Sequence, residues 1–213
     1  MKMIKSQKIM LAATVLLTAF FGLKSYAGNE GSSTSENLKA AFIGESTASA
    51  KYAAYAKQAA KEGHQKIALL FKAASKAESI HAGNHKAVMN NMGVEVPKVD
   101  PKYDVKTTAE NLNDAIKGES YEVATMYPDF LKAASKEGAN LAMISFNYAY
   151  QVEKIHKALY QKALAALENN KENTLADYYM VCTTCGNTYE NEAPARCGIS
   201  MTPKERFVRI TEL

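Results

Sequence analysis

Glu78-Ser79-Ile80-His81 and Glu153-Lys154-Ile155-His156 are two copies of one pattern, Glu-x-x-His, and their reading decides the fold. On a helix, residues three apart share a face, so each copy sets a carboxylate and an imidazole one turn apart on the same side. Both copies fall inside long helical patterns, on stripes that otherwise carry Leu, Ile, Phe, Ala and Tyr. An isolated buried carboxylate costs several kcal/mol, so an apolar stripe does not keep one idly. The surrounding helices repeat the anomaly. The first stripe, through Leu38, Ala41 and Tyr52, includes Glu45, and the third, through Leu112 and Ile116, includes Glu119 and Glu122.

Four helices account for these stripes. They are expected over 36–61, 65–92, 108–137 and 139–170, with Ser35 capping the first and Pro128 kinking the third. Short turns at Gly63 and Gly138 make two antiparallel hairpins. Between the hairpins lies the long stretch 93–107, with Pro97 and Pro101 and no helical pattern. Short, long, short is the connectivity of a ferritin-like bundle, because the long link lets the chain cross the bundle's length.

Register brings the polar residues to one level. Residues equidistant from a hairpin turn lie side by side, and Glu45 with His81 average to position 63, the first turn. Glu119 with His156, and Glu122 with Glu153, both average to 137.5, the second turn. Each set lies about 18 residues from its turn, roughly 27 Å at 1.5 Å per residue. Stacking the hairpins therefore collects five carboxylates and two imidazoles. A dinuclear iron site needs such a set: hard oxygen donors, bridging carboxylates and one His per metal.

Composition narrows the function classes. With 47% hydrophobic and 23% charged residues the 213-residue chain is globular, and 11 Gly, 5 Pro and 3 Cys exclude collagen-like and disulfide-dense designs. The net charge of +4 belongs to one end. Residues 1–27 hold Lys2, Lys5, Lys8 and Lys24 and no acid, and the remainder has 22 basic and 22 acidic residues. A nucleic-acid partner therefore has no electrostatic footprint. The same 27 residues read as a signal peptide: a basic start, an apolar run from Ile9 to Leu23, and Ser25-Tyr26-Ala27 at the cleavage point. Export, to the periplasm, is the expectation, with no membrane contact after cleavage. A flexible leader over 28–36 precedes the helical domain at 37–170, and a linker over 171–179 precedes a small module at 180–213. A module of this size needs a metal or cross-link to hold it.

Several of these motifs resemble the rubrerythrin family. Gly44-Glu45-Ser46 followed by Lys51-Tyr52 is similar to its first-helix signature. Gly118-Glu119-Ser120-Tyr121-Glu122 followed by Met126-Tyr127-Pro128 is similar to its third, and the second carboxylate, Glu122, is the specific mark. The resemblance implies that Glu78 and Glu153 bridge two irons, with Glu45 and Glu119 as terminal ligands and His156 on one iron. His81 and Glu122 would exchange at the other as its oxidation state changes. Tyr52 and Tyr127 match tyrosines that hydrogen-bond near the ligands. His85 has no counterpart and is expected in the core or behind the ligands. The implied activity is reduction of hydrogen peroxide by the di-iron pair, with an electron donor that the residues do not identify. The same site in a ferroxidase would use dioxygen, and a non-enzymatic redox or metal-binding role is the third reading. A homodimer is the expected assembly.

The end of the chain resembles the family's rubredoxin-like module, with a departure. Its first knuckle, Cys182-Thr183-Thr184-Cys185-Gly186, is intact, but the second reads Cys197-Gly198-Ile199-Ser200, so a hydroxyl stands where the fourth thiolate belongs. Three thiolates with an oxygen donor hold a third iron, or a zinc, less tightly than four. The alternative is a metal-free module with Cys182 and Cys185 in a disulfide.

Overall fold

A computed structural model describes residues 32–213. The expected signal peptide at 1–27, and the first part of the expected leader, lie outside the described residues. Helix α1 spans Ser33–Lys61 and α2 spans Gln65–Met92. They are joined at Gly63, whose φ of 92° favours a residue without a Cβ. The cap of α1 is Ser32, whose hydroxyl accepts from the Ser35 amide, so residues expected in a loose leader form its first turn. The Glu137 carboxylate, from the far hairpin, accepts from the Ser33 and Thr34 amides and fixes that start.

The stretch 94–107 crosses the bundle without regular structure and ends at Thr107, which forms a reciprocal capping box with Glu110. The third helical segment differs from the single kinked helix expected. Helix α3 covers Thr108–Tyr121, a wide π turn covers Glu122–Met126, and α4 covers Tyr127–Lys136. The reason is Pro128, which has no amide to donate four residues back and whose ring crowds that carbonyl. The Tyr127 amide instead bonds to the Glu122 carbonyl, five residues back. Helix α5, Asn140–Glu168, returns after Gly138.

Two apolar clusters fill the bundle. One gathers Tyr52, Phe71, Leu112 and Tyr160, and the other gathers Leu38, Met89, Tyr127 and Phe146. On every long helix the acidic and histidine positions fall between these clusters, so the polar level is sealed at both ends. Each fully buried Leu or Phe contributes about 1.5–3 kcal/mol, which sets the scale for holding such a layer.

Three short antiparallel strands, β1 (Tyr179–Cys182), β2 (Thr188–Glu190) and β3 (Phe207–Ile210), form a sheet of order β2-β1-β3. The stretch expected as a linker is packed: Leu175, Ala176 and Tyr179 join Val181 and Ile210 in the first bundle cluster. The module is thus continuous with the bundle core. The whole is a ferritin-like four-helix bundle with a small rubredoxin-like sheet. Among the described residues no helix is long and apolar enough to cross a membrane.

Candidate metal centre

Glu45 from α1, Glu78 and His81 from α2, Glu119 from α3, and Glu153 and His156 from α5 meet in the polar layer, each 2% exposed or less. Their donor atoms form two overlapping sets. Glu45, Glu78, His81 and Glu153 are one, and Glu78, Glu119, Glu153 and His156 are the other, with donors within 4.8 Å of one another in each. Glu78 and Glu153 belong to both. Two four-donor sets sharing two carboxylates are the arrangement for a bridged pair of cations.

The way these atoms face one another supports that fit. His81 Nδ1 lies 2.8 Å from Glu78 Oε2 and 2.8 Å from Glu153 Oε1. Yet Glu45 Oε2, both Glu78 oxygens, His81 Nδ1 and Glu153 Oε1 make no hydrogen bond of acceptable geometry. Buried polar atoms left this way cost about 1–3 kcal/mol each, so a folded protein keeps them for a ligand. These atoms instead cluster within 4.8 Å of one another in the two sets.

Both imidazoles are held from behind in the tautomer a metal requires. His81 Nε2 lies 3.0 Å from the Cys185 carbonyl, which can only accept, so Nε2 carries the proton and Nδ1 is the donor. His156 Nε2 lies 3.0 Å from Thr188 Oγ1, and Thr188 gives its own proton to the Gly186 carbonyl. His156 is therefore protonated on Nε2 as well. Both contacts come from the C-terminal module, and sequence reasoning missed them because they join segments far apart in the chain. Gly186 permits the approach: its φ is +79°, and a Cβ there would sit 2.5 Å from His81 Nε2. The glycine of the knuckle was the only available signal.

Two tyrosines support the outer carboxylates. Tyr52 donates to Glu119 Oε1 at 2.7 Å, and Tyr127 donates to Glu45 Oε1. Tyr127 also meets His85, so His85 stands behind the ligands, one residue removed. Glu122 lies in the π turn, half-buried and outside both donor sets. His81, its expected alternate, is inside.

Metal-free, the layer manages its charge with protons. Burial raises the Glu45 carboxyl to about 8, with Glu153 and Glu78 adding repulsion against the attraction of His81. Burial and neighbouring carboxylates also push up Glu119 and Glu122. Burial raises Glu153 too, but His81 and His156 outweigh it and hold Glu153 low. Burial disfavours charge on His81 and His156, and the carboxylates around them override it and raise both. Divalent cations take the place of these protons.

In the module, Cys182, Cys185 and Cys197 are fully buried free thiols whose sulfurs lie within 4.8 Å of one another. Asn187 Nδ2 and Tyr189 OH point at Cys197 Sγ, at 3.8 and 3.6 Å. This cluster, like the layer in the bundle, fits iron.

Fold and site together define a di-iron carboxylate protein of the ferritin-like class. Comparison with known proteins narrows this. The Rubrerythrin family model matches residues 36–164. Nigerythrin of Nitratidesulfovibrio vulgaris is 36% identical over 183 residues, spanning 82% of this chain and 85% of the relative. Rubrerythrin of Porphyromonas gingivalis is 32% identical over 181 residues, spanning 84% and 90%. The structure of fully reduced, all-ferrous nigerythrin superposes with a TM-score of 0.75 at 32% identity, covering 93% of this chain and 100% of that one. Bacterioferritin of Rhodobacter capsulatus, at 18% identity and a TM-score of 0.60, shares the fold. The chain belongs to the rubrerythrin family, whose members are di-iron oxidoreductases.

Proposed function

We propose that this protein is a non-haem di-iron peroxidase that reduces hydrogen peroxide to water. Glu78 and Glu153 would hold both metals, Glu45 with His81 would complete one, and Glu119 with His156 would complete the other. When bound, the two irons supply the pair of electrons that the O–O bond takes up.

The residues do the rest. Tyr52 and Tyr127 orient the outer carboxylates through their hydroxyl protons. The layer's apolar ends exclude bulk water. Reduction of peroxide to two waters consumes two protons. Burial and the neighbouring Glu45 and Glu119 push the Glu122 carboxyl up, which favours its acting as a proton donor beside the site. Glu122 is the observation that carries the reading: a second carboxylate, three residues beyond Glu119, in a turn wider than an α-helix. His81 joins the site to the module through the Cys185 carbonyl, which offers a covalent and hydrogen-bonded route for re-reduction.

The test is single-turnover oxidation of the reduced, iron-loaded protein by hydrogen peroxide and by dioxygen. Peroxide should react much faster, and Glu122→Ala should shrink the difference. Equal rates with both oxidants in the wild type would favour a ferroxidase instead.

A further inference from the structure

The second knuckle ends in Ser200, and its hydroxyl is not placed at random. Ser200 Oγ lies 3.3 Å from Cys182 Sγ, while Cys185 Sγ lies 3.4 Å from Cys197 Sγ. The three sulfurs lie within 4.8 Å of one another, so the hydroxyl beside Cys182 stands at the edge of one cluster. Donors bound tetrahedrally at about 2.0–2.3 Å stand about 3.3–3.8 Å apart. The observed separations come close to that without any metal to impose them.

Hydrogen-bond direction shows what the oxygen offers. Thr202 Oγ1 donates to Thr184 Oγ1 at 2.7 Å, which uses its only proton. Ser200 Oγ lies 2.8 Å from Thr202 Oγ1, so in that contact Ser200 must be the donor. Its proton points away from the cluster, and its lone pairs are left for the sulfur side. Thr184 is itself fixed by the bundle, because Asn84 on α2 donates to its carbonyl at 2.9 Å. A serine that had merely lost the function of a cysteine has no need of this two-threonine brace.

We infer that Ser200 is the fourth ligand of a metal site with three thiolates and one oxygen, oriented for that role by Thr202 and Thr184. Oxygen is a harder donor than sulfur and a hydroxyl carries less negative charge than a thiolate, so this centre has a different reduction potential from a four-cysteine one. The inference does not rest on the peroxidase reading, since it concerns metal held outside the bundle.

The test loads the full chain with iron, oxidises it, and reads the mononuclear ferric signal by electron paramagnetic resonance alongside iron content and midpoint potential. Wild type should hold the mononuclear iron. Ser200→Ala should weaken its retention by at least about tenfold, the loss that even an outer-sphere contact commands, and change the symmetry of the signal. Ser200→Cys should retain the iron and shift its potential. Thr202→Val, which removes the acceptor for the serine proton, should shift the potential while leaving the ligand in place. An unchanged signal and affinity in Ser200→Ala would overturn the assignment. So would a wild type that binds no mononuclear iron while Ser200→Cys does.

Discussion

Ser145, His85, Tyr127 and Glu45 form a chain of hydrogen bonds whose direction is set from one end. Tyr127 gives its proton to Glu45, so its oxygen accepts from His85 Nε2, 3.2 Å away. Nδ1 of His85 is then unprotonated and accepts from the Ser145 hydroxyl at 2.8 Å. Burial, with the charge of His81, holds the His85 imidazole down at about 3, in keeping with a neutral ring. His85→Leu leaves the phenol oxygen without its donor, and we expect a loss of about 1–3 kcal/mol in unfolding free energy. It should also weaken iron binding, and His85→Gln, with an amide N–H in reach, should recover part of both. Denaturant titration and iron-binding isotherms check this; a His85→Leu protein equal to wild type in both contradicts it. The six carboxylate and imidazole donors were legible in the sequence because charge on an apolar stripe is conspicuous. His85 was not assigned, because a histidine on such a stripe signals burial but not its partner.

At the scale of elements, the π turn does what helical periodicity could not foretell. Eight residues at about 100° each would carry Tyr127 about 80° away from Glu119 around a regular helix, and one residue absorbed by the wide turn reduces this to about 20°. Tyr127 thereby returns to the face of Leu112 and Glu119, and Ala134 follows, whereas no residue within Glu122–Met126 is fully buried. The regular stripe expected to run from Leu112 through Glu119 and Glu122 is shifted by that one residue. Pro128 marked a disturbance, but an extra residue and a simple kink look alike in sequence. Deleting the exposed Thr125 should close the turn and rotate Tyr127 out of the core. A loss of about 3–5 kcal/mol is expected, as for removing a buried aromatic ring. Tyr127→Phe should then add little, because its contact with Glu45 is already gone. Wild-type stability in the deletion variant, measured by denaturant unfolding, would contradict the account.

Over the whole molecule, hairpin register was legible because turn positions and helical rise are fixed by geometry, and Glu45 and His81 do lie level, 3.7 Å apart. The packing of the module on α2 and α5 was not, since no local pattern encodes which surfaces meet across 32 to 104 residues of chain. The layer's charge gives the folded protein a pH dependence. Above pH 6.5 His85 is neutral and Glu153 ionised in both folded and unfolded chains, so neither contributes. Glu45, with its raised value of about 8, keeps a proton that the unfolded chain has released, and Glu119, Glu122, His81 and His156 are shifted in the same direction. Stability of the metal-free protein should therefore fall as pH rises from 6.5 through 8, by about 1.4 kcal/mol per unit for each such proton. Iron displaces those protons, so the loaded protein should be flatter over the same range, as thermal unfolding of both forms will show. The central claim is that two shared carboxylates hold two metals, and iron stoichiometry after single substitutions tests it most directly. Glu78→Ala and Glu153→Ala should each abolish the bundle's iron pair, while Glu45→Ala and Glu119→Ala should each weaken one metal more than the other. A Glu78→Ala or Glu153→Ala protein that retains the full pair would contradict the account.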